Sequence, residues 1–232
     1  MRELIVNNYP KSSVTEALRT VKTNLYFSAI NNKIKKILVT SSLPGEGKSF
    51  ISANLATIFA DPTQKVLLID CDLRRPNISR LLGKKSFPGL SNVLVGLNKL
   101  DEVIEDSGYK NLDVICSGNI PPNPAELLGS DRMENVIEEL SQKYDYIFFD
   151  TAPVNMVTDT TILAKWMSGI ILVVLYNSTD KDTIEESVKQ LEFVGAKILG
   201  FVLNGVVYGN NGAYNYKRKM YKYRDYGSYE KK

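Results

Sequence analysis

The chain has 232 residues, 44% of them hydrophobic and 24% charged, with a formal charge of +3. These are the proportions of a soluble globular domain with one sizeable core. There is no histidine, so Ser-His-Asp chemistry is excluded and any proton transfer falls to Asp, Glu, Lys, Tyr or Cys.

In chain order, Ser12 or Ser13 caps an expected helix over 14–30, with Leu18, Val21, Leu25 and Ile30 on one stripe. Strands and helices then alternate. Ile37–Thr40 reads as a strand, Ser49–Ala60 as a helix, and Lys65–Asp70 as a nearly continuous apolar strand of the kind buried in a parallel sheet. Pro76–Leu82, Leu90–Val95 and Asp101–Asp106 read as short helices. Leu112–Cys116 is a strand, Ser130–Lys143 a helix, Tyr146–Asp150 a strand and Asp159–Trp166 a helix. Gly169–Leu175, Lys181–Val194 and Lys197–Asn204 complete the series as strand, helix and strand. This alternation predicts an α/β domain over 1–204 with a mostly parallel sheet and helices on both faces.

Residues 205–232 depart from the pattern. They hold seven of the 13 tyrosines (Tyr208, Tyr214, Tyr216, Tyr221, Tyr223, Tyr226 and Tyr229), and Gly209, Gly212 and Gly227 interrupt any helix. A flexible tail is expected there. It carries seven basic and two acidic residues, +5, which leaves 3 − 5 = −2 for the rest. Such a tail is expected to be drawn to an acidic site. Cys71 and Cys116 match no metal spacing, which suggests a reduced, cytoplasmic protein. Asn7, Asn8 and Pro10 interrupt any signal-peptide core, and Ile170–Tyr176, the longest apolar run, is too short for a bilayer. Membrane association would need a partner.

The most informative stretch is Ser41-Ser42-Leu43-Pro44-Gly45-Glu46-Gly47-Lys48-Ser49, between an expected strand and helix. It fits the phosphate-binding loop, with Ser42 where the first glycine is expected. Pro44, Gly45, Glu46, Gly47, Lys48, Ser49 and Phe50 form the nucleotide-binding stretch, whose backbone N–H groups would point at phosphates. Lys48 would reach the β/γ-phosphates and the Ser49 hydroxyl would hold Mg²⁺. Lys48→Met is accordingly expected to remove a positive charge from the phosphates without touching the core. The plain alternative is a glycine-rich turn. Asp70 and Asp150 end apolar strands and Asp72 follows closely, so all three are placed to converge beyond the strand ends. The alternative for each is a capping aspartate.

These residues resemble the bacterial tyrosine kinases (BY-kinases) of capsular and exopolysaccharide synthesis, P-loop ATPases akin to the MinD/ParA group. The resemblance rests on the phosphate loop, on Leu67-Leu68-Ile69-Asp70-Cys71-Asp72-Leu73-Arg74-Arg75-Pro76 and on Ile147-Phe148-Phe149-Asp150-Thr151-Ala152-Pro153. Ile120–Leu128 and the tyrosine cluster add to it. It implies a three-layer P-loop NTPase fold and an ATP- and Mg²⁺-dependent protein-tyrosine kinase. It makes Asp70 the base or orienting group for the tyrosine hydroxyl, places Asp72 and Asp150 at Mg²⁺, and puts Asn204 at the adenine. The seven tail tyrosines become phosphoacceptors, modified in trans. Glu16, Arg19 and Lys22 match an oligomer-interface motif in which the last position is usually Arg. A ring is implied, an octamer being one size, together with recruitment to the membrane's inner face by the cytoplasmic segment of a membrane-bound activator. For Glu16 and Arg19 the alternative is a solvated helix face.

Two other functions compete. A MinD/ParA-type partitioning ATPase would carry a lysine at position 43, which is Leu43, and no tyrosine cluster. A nucleic-acid module would use the basic aromatic tail to stack bases but leaves the acidic strand ends unexplained, so nucleic acid is not an expected partner.

Overall fold

The computed structural model describes residues 4–28 and 34–206. Two helices open the chain, α1 (Ile5–Asn8) and α2 (Ser13–Ser28). The first strand and the helix after the phosphate loop are β1 (Lys36–Ser41) and α3 (Lys48–Phe59). Then come β2 (Val66–Asp70), α4 (Ile78–Leu82), α5 (Leu90–Leu94), β3 (Glu105–Tyr109), β4 (Leu112–Ile115), α6 (Pro124–Leu128) and α7 (Asp131–Lys143). The last elements are β5 (Tyr146–Asp150), α8 (Asp159–Ala164), β6 (Gly169–Leu175), α9 (Lys181–Phe193) and β7 (Ile198–Asn204). The tyrosines from Tyr208 to Tyr229 and the far end of the expected 14–30 helix lie outside the described residues.

The seven strands order as β3-β4-β2-β5-β1-β6-β7, all pairs parallel except β3–β4. Side chains of a strand alternate between faces, and the sheet sorts them into two cores. Leu38, Leu67, Ile69, Ile147, Phe149 and Leu172 pack on the face covered by α7, α8 and α9. Ile37, Val39, Val66, Leu68, Phe148 and Val173 pack on the opposite face, under α2 and α3. The result is the expected three-layer arrangement of helices on both faces of a mostly parallel sheet.

One local expectation needs correction, and two short helices were not expected. The 101–106 segment is not a helix: one 3₁₀ turn at Leu100–Glu102 gives way to β3, which pairs antiparallel with β4 at the sheet edge. Its residues are mostly polar and only Ser107 is buried, so no apolar alternation marked it. Pro124–Leu128 is a short helix with Pro124 in its first turn, where a missing N–H costs nothing. Residues 5–8 also form one turn, α1. The capping expectation fares better: Ser12 Oγ accepts from Thr15 N at 3.2 Å.

Lys22 departs from its expected setting. Its side chain is 18% exposed, and Nζ donates to Ile58 O at 2.9 Å and to Asp61 Oδ2 at 3.3 Å. Nζ also lies over the rings of Tyr26 and Phe59, at 5.6 and 5.4 Å. A cation near the last carbonyls of α3 complements that helix end. Glu16 and Arg19 instead form an exposed ion pair with each other. Lys22 is thus turned inward, whereas its two motif partners face solvent.

Candidate active site

The site is assembled by strand order. The chain leaves β1 through the loop and α3, enters β2, and leaves a gap between these strands that β5 fills. Register sets Asp70 opposite Asp150, and Asp150 opposite Val39. The carboxyl ends of three adjacent strands therefore face one point, as in open α/β folds with a ligand crevice.

The loop is a backbone structure. Gly45 and Gly47 have φ of 85° and 92°, which other residues adopt poorly. A Cβ on Gly47 would stand 2.2 Å from Asn204 Nδ2. Ser42 replaces a glycine without strain because its φ is not positive. Its hydroxyl accepts from Ser187 Oγ of α9 at 2.7 Å. The carboxylate of Glu46 turns back into the protein, 2% exposed. It accepts from Leu43 N at 2.8 Å and from the Thr179 hydroxyl. This brace between the loop and the β6–α9 turn was not legible in sequence, since Thr179 lies more than a hundred residues from Glu46.

A cavity of about 680 Å³ opens above the loop. Pro44, Gly45, Gly47, Lys48, Ser49 and Phe50 line it, and so does Asp72. Glu46, Asp70, Asp150 and Asn204 do not. Asn204, expected at the adenine, spends its amide within the protein: Nδ2 donates to Glu46 O at 2.9 Å, and Oδ1 accepts from Gly205 N at 2.9 Å. Arg74, Arg75 and Arg80 also line the cavity, which makes its wall basic where an acidic site was expected.

Lys48 is the centre of charge. Its Nζ lies 2.7 Å from Asp72 Oδ2 and 3.9 Å from Asp150 Oδ2. Burial alone would lower its pKa, but the charges of Asp150 and Asp72 more than offset this and hold it raised. Asp150 accepts from Ser52 Oγ at 3.0 Å through Oδ1, while its buried Oδ2 accepts no hydrogen bond. Burial pushes the Asp150 carboxyl up, against the pull of Lys48, Ser49 and Ser52.

Asp70, like Asp150, does not reach the cavity, which only Asp72 of the three lines. It is fully buried behind Asp72. Its Oδ1 accepts from Asp72 N at 3.2 Å, and its Oδ2 from Asn77 N at 3.1 Å and Ile78 N at 3.0 Å. Burial and the Asp150 charge push its pKa up; the Ile78 amide and Lys48 pull it back. Its contacts are those of a group that shapes the turn between β2 and α4.

A carboxyl whose pKa is higher folded than unfolded takes up a proton on folding. Stability is then greatest below the unfolded value, near 4, and falls as pH rises through the raised folded value. The nucleotide-free protein should melt at a lower temperature at about pH 8 than at about pH 5.5, followed by calorimetry. Asp150→Asn should flatten that slope. A slope left unchanged would clear Asp150 as its source.

An orphaned, buried carboxylate oxygen beside a serine hydroxyl suits a hard divalent cation. Ser49, Asp72 and Asp150 are the residues that could hold Mg²⁺, which is commonly bound by one or two carboxylates with phosphate and water. Both cysteines are free and buried, and burial raises both thiols.

The loop, the buried lysine and the strand-end carboxylates define a P-loop nucleotide-binding protein. The AAA domain family matches residues 34–194. The tyrosine-protein kinase YwqD of Bacillus subtilis is 38% identical over 215 residues, 93% of this chain and 91% of that protein. The solved kinase domain of Escherichia coli tyrosine kinase Etk is 34% identical and superposes with a TM-score of 0.85, covering 89% of this chain and 82% of that one. This chain spans 29% of full-length Etk. MinD of Pyrococcus horikoshii, solved with Mg-ADP, lies further off at 26% identity, with a TM-score of 0.64 over 80% of this chain and 77% of that one. The chain belongs to the bacterial tyrosine-protein kinases. It is an enzyme that transfers phosphate to protein tyrosine, on the P-loop fold that this family shares with MinD.

Proposed function

We propose that the chain transfers the γ-phosphoryl group of Mg·ATP to tyrosines of its own C-terminal cluster, one copy acting on another, and thereby regulates the synthesis and export of capsular polysaccharide or exopolysaccharide. The observation that carries this reading is the buried Lys48 ammonium held at the cavity floor between Asp72 and Asp150. Phosphoryl transfer asks for positioned positive charge more than for covalent help. Lys48 and the loop N–H groups would bind the β- and γ-phosphates and neutralise charge that grows there. Ser49, Asp72 and Asp150 would hold Mg²⁺, which when bound supplies further neutralisation between those phosphates. Asp72 is the carboxylate that faces an incoming hydroxyl. Asp70 acts as the orienting group: it fixes the turn that presents Asp72.

Tyr208, Tyr214, Tyr216, Tyr221, Tyr223, Tyr226 and Tyr229 are the proposed acceptors. Glu16 and Arg19, exposed on α2, are proposed at the contact between copies in a ring, with Lys22 supporting that helix from inside. None of the described helices is long and apolar enough to cross a membrane, so placement at the membrane's inner face is assigned to the cytoplasmic segment of a membrane-bound activator. Purified protein incubated with Mg·ATP should gain several phosphate masses, mapped by peptide sequencing to the tail. Phosphate confined to serine, or ATP hydrolysis with no protein modification, would overturn this and favour a MinD-like ATPase.

A further inference from the structure

The basic wall of the cavity is not used by the transfer chemistry. Of its three arginines, Arg74 is committed. Its Nε and Nη2 form a fork on the two oxygens of Asp159, at 2.9 and 3.0 Å, and that carboxylate is fully buried. Arg75 and Arg80 are exposed, and among the described residues neither side chain forms an ion pair or a hydrogen bond. Their backbone, in contrast, is well held. Asp72 Oδ1 accepts from Arg75 N at 2.9 Å, Asp70 holds the amides of Asp72, Asn77 and Ile78, and Arg80 follows within α4. Two free guanidinium groups are thus carried on a pinned turn, in the same cavity as Lys48. Such groups match phosphate oxygens in a planar fork.

This wall repels the unmodified tail, whose net charge is +5. One modification changes the local sign. Each phosphotyrosine adds about −1.5 to −2 charge and three acceptor oxygens. Tyr221 and Tyr223 are two residues apart; Tyr223, Tyr226 and Tyr229 follow at intervals of three. In an extended chain that is roughly 7–11 Å between neighbours, so a modified tyrosine and the next acceptor are close enough in sequence to be offered together.

We propose that Arg75 and Arg80 form a phosphotyrosine-binding subsite beside the transfer site. It holds an already modified tyrosine of the C-terminal segment and presents the next tyrosine to the nucleotide. The proposal rests on the kinase reading above and adds a direction to it: the first phosphate speeds those that follow on the same tail.

The test uses full-length, phosphatase-treated protein without ATP. Fluorescence anisotropy compares a labelled peptide of residues 219–232 phosphorylated at Tyr226 with the same peptide unmodified. The phosphorylated form should bind about tenfold tighter, as charge-assisted forks allow. R75Q and R80Q should each shrink that preference, and the double variant should abolish it with its melting temperature retained. Saturating Mg·ADP should leave the preference in place. Equal binding of the two peptides would overturn the proposal. So would a preference that survives in the double variant, or one that Mg·ADP removes, because the phosphate would then be sitting in the phosphate loop. A wild-type protein that makes no phosphotyrosine from Mg·ATP would sink the kinase reading instead, a result on which the ATP-free binding assay does not depend.

Discussion

Lys48→Met protein incubated with Mg·ATP should gain no phosphotyrosine above background, a loss of at least ~10²–10³-fold for removing one preorganised charge from the transferring group. The sequence alone suggested that this change would spare the fold, because no apolar contact is lost. The geometry says otherwise. Lys48 neutralises two buried carboxylates, one of which has an oxygen with no hydrogen-bond partner. Removing one member of a buried charge cluster typically costs ~3–5 kcal/mol. The variant should therefore also melt several degrees lower than wild type, and the gap should widen as pH rises and Asp150, whose carboxyl is pushed up by burial, becomes fully charged. Calorimetry across pH, with intact-mass analysis of phosphate uptake, reads both effects. Robust tail phosphorylation by this variant would end the phosphate-loop assignment; an unchanged melting temperature would show that Asp72 and Asp150 do not depend on the ammonium.

Asp70→Ala should be more destabilising than Asp72→Ala or Asp150→Ala. It removes the acceptor for the amides of Asp72 and Ile78, both buried, and of Asn77, which is half-buried. A buried donor left unpaired costs ~1–3 kcal/mol, and here three share one site. Asp70→Asn keeps acceptor oxygen for part of the set and should fall between wild type and alanine. If Asp70 orients the turn, the asparagine variant should lose Mg·ATP affinity and thermal stability together with turnover, since Asp72 and Arg75 are displaced as one unit. A variant that binds Mg·ATP like wild type and melts like wild type, yet turns over ~10²–10⁴-fold more slowly, would return Asp70 to direct proton transfer.

The alternating periods of apolar residues were sufficient to place β1, α3, β2, α7, β5, β6, α9 and β7 within a few residues, because burial of a strand or of a helix face leaves its mark within the segment itself. The phosphate loop was equally legible. Gly45 and Gly47 occupy positive φ, and that demand is local to the loop. The sequence also drew Asp70, Asp72 and Asp150 into one region, since Asp70 and Asp150 end apolar strands and Asp72 lies two residues beyond one. What it could not assign was the direction each one faces. That depends on β5 entering between β1 and β2, and on the turn after β2 folding back so that its own amides claim Asp70. Asp72 is thereby left at the cavity and Asp150 beneath Lys48. The same holds for Glu46, whose donors lie at Leu43, Leu175 and Thr179, and for Lys22, which finds the end of α3 some 36 residues away. It holds for β3 as well, a polar edge strand specified by pairing with β4 and not by its own pattern. Local periodicity reports how a segment is buried; which partner a charged group meets is decided only when distant segments pack, and in this chain that packing sets the charge of the cavity wall.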